Sequence, residues 1–372
     1  MSTGRADRII SYHDTWISVD PIRGCPYGCA YCILRDSGDT GVRPTRTTSP
    51  DACVEQLLEY PLFVRGFTPL AIGNNTDIFH PLNVEYLLEL LAKMASVPLD
   101  NPITLATKAP LTVSVLERMR AIPGLRIVLF LSYSGLGTRF EPNFTDEQLR
   151  ANFAVAKSLG FPVVHYWRPL LPENTSPEAI RRMLAFAKYA ADATVFIGLK
   201  LHPQLTQVIT RDSCIDVPVH LREQRGEWLD PQTVELIYHE ASSICPDHPL
   251  YRHASCALAA VLGQPNHTAT MYRADICPPS QCSPEQRGIC DRSRRIPVDS
   301  EIRKTLSLLG REIRFECLPD RIAIRAEVTQ DEFVFLLHNL KCPLEVTGLR
   351  MLRLYHGSIF EGQRIVGSGP KY

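Results

Sequence analysis

The chain has 372 residues, 45% of them hydrophobic, with 40 Lys plus Arg against 40 Asp plus Glu. That length can bury a large core and build two or three units. The zero charge balance argues against a dedicated duplex-DNA binder, and no run of about 18 apolar residues marks a membrane span.

Residues 1–15 are polar and read as a loose arm. Trp16 to Asp20 reads as a first strand, which leads into Arg23-Gly24-Cys25-Pro26-Tyr27-Gly28-Cys29-Ala30-Tyr31-Cys32. Three cysteines at C-x3-C-x2-C on one loop can hold three irons of a cubane [4Fe-4S] cluster. The fourth iron is then open, as S-adenosylmethionine requires if it is to chelate through its amino and carboxylate groups. Zinc normally takes four ligands, and this loop offers three. Gly24, Pro26 and Gly28 suit a loop that wraps closely around a cluster.

Residues 35–50 read as a loop and Asp51 to Leu58 as a helix, with Cys53 a packing thiol. Strands then alternate with helices. Strands are expected at Leu70 to Gly73, Ile103 to Thr107, Leu125 to Ser132, Phe161 to Trp167 and Thr194 to Leu201. Between them, Val84, Leu87, Leu88, Leu91, Met94 and Ala95 recur at helical spacing. Val113 to Met119 is a second such helix. Thr145 caps a third that ends at Gly160, and Pro177 opens a fourth at its first position. Alternation of this kind implies parallel βαβ units.

After residue 202 the pattern breaks. Residues 232–244 read as helix, and residues 245–297 are rich in Cys, Pro and Arg. There Cys277, Cys282 and Cys290 stand at C-x4-C-x7-C, with Cys256 further upstream. Four thiolates can close all the irons of a second [4Fe-4S] cluster, or bind zinc tetrahedrally. Cys214 and Cys245 are reserve ligands, His253 a hydrogen-bonding residue, and Cys317 and Cys342 packing residues. Arg292, Arg294, Arg295, Arg303, Lys304, Arg311 and Arg314 follow, diluted by Asp291, Asp299, Glu301 and Glu312, and read as a solvated face. Residues 298–372 read as a small α+β unit, with a strand at Ile322 to Val328, a helix at Asp331 to Asn339 and further strand at Leu344 to Val346.

The first cysteine loop resembles the signature of the radical S-adenosylmethionine superfamily. Asp20-Pro21-Ile22-Arg23-Gly24-Cys25, Asn74-Asn75-Thr76-Asp77 with Pro81, Thr107-Lys108, Arg139-Phe140-Glu141-Pro142 and Arg168-Pro169-Leu170-Leu171-Pro172 resemble, in that order, the spore photoproduct lyase-like branch. The likeness covers roughly residues 10–200.

It implies an α/β chain with a partial (β/α)6 TIM-like barrel at 16–210, after the arm at 1–15. A Cys-rich auxiliary-cluster region at 211–297 and an α+β domain at 298–372 would follow. Cys25, Cys29 and Cys32 would bind the catalytic cluster. Asn74, Thr76, Asp77, Lys108, Ser132 and Arg168 would contact S-adenosyl-L-methionine, and auxiliary clusters are frequent in the superfamily. A flavodoxin or ferredoxin would donate the electron. The reaction implied is reductive cleavage of the cofactor to a 5′-deoxyadenosyl radical that takes hydrogen from a small-molecule, nucleoside or peptide substrate.

Repair or modification of nucleic acid is the less favoured alternative, and a non-catalytic metal-binding module is the third. In spore photoproduct lyase a hydrogen-donating cysteine precedes a Ser-Asp pair in the loop after the second strand. Asn75 holds that position here, and an amide cannot donate a hydrogen atom as a thiol does. The twelve cysteines, with no N-terminal secretory pattern, are expected to serve metal centres in a reducing cytoplasm rather than disulfides.

Overall fold

The computed structural model describes residues 8–272, 277, 282–350 and 363–366. The chain begins with strand β1 (Ile10–Tyr12), antiparallel to β2 (Ile17–Val19), so residues expected in a loose arm are part of the sheet. Tyr12 explains this: its ring is fully buried and its hydroxyl donates to the Leu62 carbonyl at 3.0 Å. A short ribbon, β3 (Ile22–Arg23) with β4 (Thr45–Arg46), brackets the cysteine loop, and α1 (Pro50–Glu59) follows.

The repeating part runs β5 (Leu70–Ile72), α2 (Val84–Ala95), β6 (Ile103–Thr107), α3 (Val113–Arg120), β7 (Ile127–Ser132), α4 (Asp146–Ser158), β8 (Val163–Leu170), α5 (Pro177–Ala190) and β9 (Ala193–Leu201). Polar caps set the helix starts. Thr112, Thr145 and Ser176 each accept a backbone N–H of the first turn, and Gln148 closes a capping box with Thr145. Strands β2, β5, β6, β7, β8 and β9 pair in that order, all parallel. This is the partial TIM-like barrel.

Helix α6 (Pro203–Asp212) crosses residue 210 and packs by the cysteine loop, where the His202 ring meets Asp36 at 3.2 Å. Two strands then return to β9. Strand β10 (Gly226–Trp228) pairs antiparallel with its end. After α7 (Pro231–Ile244), β11 (Leu250–Tyr251) pairs parallel with its start, as a seventh parallel strand.

Helix α8 (Ala254–Leu262) lies against the sheet face opposite α2 to α5. Ala254, Ala257 and Leu258 pack with Ala71, Val128, Phe130, Val164, Tyr166, Val195 and Ile197 there, whereas Ile72, Leu105, Leu129 and Val163 belong to the other, larger core. Alternation along each strand therefore assigns Ser18, Thr104, Phe130, Ser132, Tyr166 and Arg168 to the face that α8 covers.

Helices α9 (Pro284–Ser293) and α10 (Asp299–Ser307) lead to a four-stranded sheet. Its strands are β12 (Phe315–Cys317), β13 (Ile322–Thr329), β14 (Leu344–Arg350) and β15 (Arg364–Ile365), with α11 (Gln330–Leu340) between β13 and β14. Helix α11 packs on β1, and its buried Asp331 accepts from the Tyr60 hydroxyl at 3.1 Å. The expected basic face is mostly paired: Arg294 with Asp291, Arg295 with Glu301, Arg303 with Asp299 and Arg311 with Glu332. Among the described residues no helix is long and apolar enough to cross a membrane.

Candidate cluster and cofactor site

The cysteine loop sits at the C-terminal ends of the parallel strands, where ligand sites in such barrels gather. Gly24 starts it with φ +88°, and a Cβ there would lie 3.0 Å from the Arg43 carbonyl oxygen, so glycine is required. The loop is tied down by its backbone. The Cys25 N–H donates to Asp39 O at 2.8 Å, Ala30 N–H to Phe140 O at 2.8 Å, and the Arg35 guanidinium to Cys29 O at 2.9 Å and Gly28 O at 3.0 Å. The Thr76 hydroxyl reaches the Gly24 carbonyl at 2.7 Å.

Cys25, Cys29 and Cys32 interact electrostatically with one another. Burial, reinforced by Asp77, pushes the Cys25 thiol up to about 12; burial also raises Cys29 to about 12, opposed mainly by Lys108. Thiolates here are costly without a cation, and the irons of a cluster would supply that charge. Among the described residues no three His, Cys, Asp or Glu side chains converge on a single metal ion. The fit to a cluster rests on the donor set, three thiols on one loop, and on its barrel-mouth position.

The residues predicted for the cofactor divide into two groups. Thr76 and Asp77 are engaged within the protein. Asp77 Oδ1 accepts from Phe79 N and the Thr107 hydroxyl at 3.1 and 2.7 Å, and Oδ2 accepts from Lys108 N and Ala109 N at 2.9 and 3.0 Å. This carboxylate fixes the end of β6. Asn74 is exposed, and its amide donates to the Ser18 hydroxyl at 3.1 Å. Gly73 makes the turn between β5 and this loop. Its φ is +81°, and a Cβ would lie 2.8 Å from Ile78 Cβ.

Lys108, Ser132 and Arg168 stand at successive strand ends. The Lys108 ammonium lies 3.9 Å from Glu141 Oε1 and 5.3 Å from the centre of the Tyr31 ring. Arg168 donates to the Tyr166 hydroxyl at 2.8 Å with its guanidinium over that ring, and it interacts electrostatically with Tyr31 and Cys32. Ser132 is buried at the end of β7, in register with Tyr166.

Glu141 is the residue that sequence reasoning underrated. It is 1% exposed, and its Oε1 accepts from the Tyr31 and Ser134 hydroxyls, the latter at 3.1 Å. Arg139, two residues earlier in the same stretch, lies over the Phe140 ring. Oε2 of Glu141 is buried with no hydrogen-bond partner among the described residues. Burial, then the charge of Glu141, raises the Tyr31 hydroxyl well above its ordinary range, so it stays a donor. The aromatic residue before the third cysteine therefore joins the cysteine loop to Glu141 and Lys108. A cavity of about 490 Å3 lies nearby, lined by Tyr133, Ser134, Asp146, Arg150 and Arg182, and none of the predicted site residues faces it.

In the second cysteine group, Cys277, Cys282 and Cys290 are neighbours. Burial raises the Cys277 and Cys282 thiols, and each interacts with Cys290 and with the other or its neighbours. Tyr251 interacts with Cys282, Cys256 and Cys290. Asn266, which no sequence signal marked, donates from its side-chain amide to Cys256 Sγ at 3.2 Å and from its backbone N–H to Cys290 Sγ at 3.5 Å. Cys214 and Cys245 lie elsewhere: Cys214 Sγ meets Arg139 O at 3.4 Å, and Lys188 is the charge that Cys245 feels. Cys342 is buried, as expected, whereas Cys317 is exposed.

No family model matches the chain, and no curated protein matches it. Solved structures do. A spore photoproduct lyase variant matches with a TM-score of 0.53 at 13% identity, over 66% of this chain and 79% of that one. A further variant of that enzyme, with bound AdoMet and dinucleoside spore photoproduct, matches equally, with a TM-score of 0.53 at 13% identity over 66% and 79%. A radical SAM methyltransferase from Sphaerobacter thermophilus gives a TM-score of 0.44 at 15% identity, over 66% of this chain and 69% of that one. The chain thus has the spore photoproduct lyase fold.

Proposed function

We propose that this chain is a radical S-adenosylmethionine enzyme with its catalytic [4Fe-4S] cluster on Cys25, Cys29 and Cys32. The observation that carries the reading is the three-cysteine loop at the barrel mouth, with Lys108 and Arg168 on adjoining strand ends. When bound, the cluster supplies the electron that cleaves the cofactor's C5′–S bond, and the resulting radical takes a hydrogen from substrate.

The chain's own residues bind and orient. Lys108 and Arg168 are the cations for the cofactor's carboxylate, Ser132 is the hydroxyl for its ribose, and Asn74 is the amide for its amino end. Glu141 holds Lys108 and Tyr31 in place, and its unpartnered Oε2 is an acceptor for a ligand donor. Helix α8 and the apolar face beneath it keep water out from below. Cys256, Cys277, Cys282 and Cys290 would hold a second [4Fe-4S] cluster.

The substrate class favoured is a small molecule, nucleoside or peptide, because net charge is zero and Arg294, Arg295, Arg303 and Arg311 of the basic stretch are paired with acids. Nucleic acid is the second reading, since the similar lyase is described with dinucleoside spore photoproduct. Against it, Asn75 holds the place of the hydrogen-donating cysteine.

The test is iron per chain after anaerobic reconstitution, together with dithionite-driven release of methionine and 5′-deoxyadenosine. Two cubanes give about eight irons, falling to about four in Cys25/Cys29/Cys32→Ala with all cleavage lost. A native chain that binds iron yet never cleaves S-adenosylmethionine would overturn the enzyme reading. Salt-dependent oligonucleotide binding would move the substrate to nucleic acid.

A further inference from the structure

Asn266 holds an unusual place beside the second cysteine group. It is 2% exposed, between α8 and α9. Its Oδ1 accepts from the Thr268 N–H and the Thr268 hydroxyl, both at 2.7 Å. A backbone N–H only donates, so Oδ1 faces Thr268, and the orientation of the amide is fixed. Nδ2 must then point the other way, where it meets Ser255 Oγ and Cys256 Sγ, each at 3.2 Å. The backbone N–H of the same residue adds Cys290 Sγ at 3.5 Å. One residue thus donates to two sulfurs that lie 34 positions apart in the chain.

Other donors complete the shell. Gln286 Nε2 reaches Cys290 Sγ at 3.4 Å while also donating to Gln264 O at 2.9 Å. The Tyr251 hydroxyl lies 3.6 Å from Cys282 Sγ. A sulfur that holds a metal carries no proton, so the hydroxyl is the donor toward it. Three of the four cysteines therefore have N–H or O–H groups aimed at sulfur. Plain packing thiols have no need of this, whereas anionic sulfurs of a buried centre do.

Resting on the second-cluster reading above, we propose that Asn266 is the positioning residue of that centre. It holds Cys256 and Cys290 for a closed [4Fe-4S] cluster and sets its reduction potential, with Tyr251 adding to the effect at Cys282. Donors to sulfur spread the charge of the reduced state and raise the potential; removing them lowers it.

The experiment uses the full-length chain with Cys25/Cys29/Cys32→Ala, so that the second centre is alone. Iron and sulfide content and a potentiometric EPR titration are measured for this parent and for added Asn266→Asp, Tyr251→Phe and Ser255→Ala. Asn266→Asp is isosteric and keeps the oxygen that faces Thr268. It removes the Nδ2 donor and sets a negative charge against sulfur. The expected result is about four irons in the parent. A lower potential or lost iron is expected in Asn266→Asp and a smaller lowering in Tyr251→Phe, with no change in Ser255→Ala.

An unchanged potential with iron retained in Asn266→Asp would overturn the assignment. So would an equal shift in Ser255→Ala, which would trace the effect to loop packing. Zinc, or no metal, in the parent would overturn the second cluster itself. Cleavage of S-adenosylmethionine by the otherwise native chain would meanwhile leave the catalytic reading standing.

Discussion

Asp77 and Thr107 are joined by a 2.7 Å hydrogen bond between a buried carboxylate and a buried hydroxyl, which ties the loop after β5 to the end of β6. The same carboxylate holds the backbone of Lys108 and Ala109. Asp77→Asn keeps the shape but turns an N–H2 toward donors that need an acceptor. It should destabilise the fold by about 1–3 kcal/mol and weaken cofactor binding through Lys108. Urea unfolding and anaerobic cofactor titration of the iron-loaded protein check this; unaltered stability would show that the carboxylate is dispensable.

Lys108 lies between Glu141 and Tyr31, at the mouth of the barrel. Lys108→Met keeps the length of the side chain and removes its charge. S-adenosylmethionine affinity should fall by about tenfold or more, equivalent to about 1.4 kcal/mol, while iron content stays at the native value. Equilibrium binding under anaerobic conditions is the measurement, and native affinity would remove Lys108 from the site.

The buried His165, His267 and His338 and the half-buried His248 are held neutral. Burial lowers His165 to about 3, His248 and His267 to about 4, and His338 well below its ordinary value. The unfolded chain, with histidines near 6.5, takes up protons that the folded chain refuses. Stability is therefore full above about pH 6.5 and is lost as pH falls through that value toward the folded values. At pH 5.5 each such group costs about 1.4 kcal/mol. Urea midpoints should drop steadily from pH 7.5 to 5.5, less steeply in His267→Gln; a flat profile in the native chain would contradict this account.

Much of the barrel was legible because its signals are local. Helices α2, α4 and α5 show apolar periodicity, and Thr145 and Pro177 sit at their starts. Strand β11 is two residues long and gives no alternation to read, and the Ile-Ser-Tyr of β1 is hidden among polar neighbours. Helix α8 is apolar on all sides, so no period marks it. The cysteine loop was legible because its three thiols fall within eight consecutive residues. The roles of Glu141 and Asn266 were not, since Tyr31 and Cys256, the partners that define them, lie 110 and 10 residues away and only the folded chain brings them together.

Asn266 and His267 are adjacent, yet they serve different neighbours. While Asn266 reaches the sulfurs, His267 meets the Thr15 carbonyl, and its ring packs edge-on, 5.0 Å away, against His338 of α11. His338 in turn bonds the Asp14 carbonyl at 2.9 Å. Two residues of backbone thus connect the second cysteine centre to the contact by which the last sheet rests on the first strands. On the second-cluster proposal, occupancy of that centre and docking of α11 would be linked free energies. Amide exchange at Phe333 to Leu340 should slow when iron is loaded and quicken when it is chelated, so that the far end of the chain reports the state of the metal.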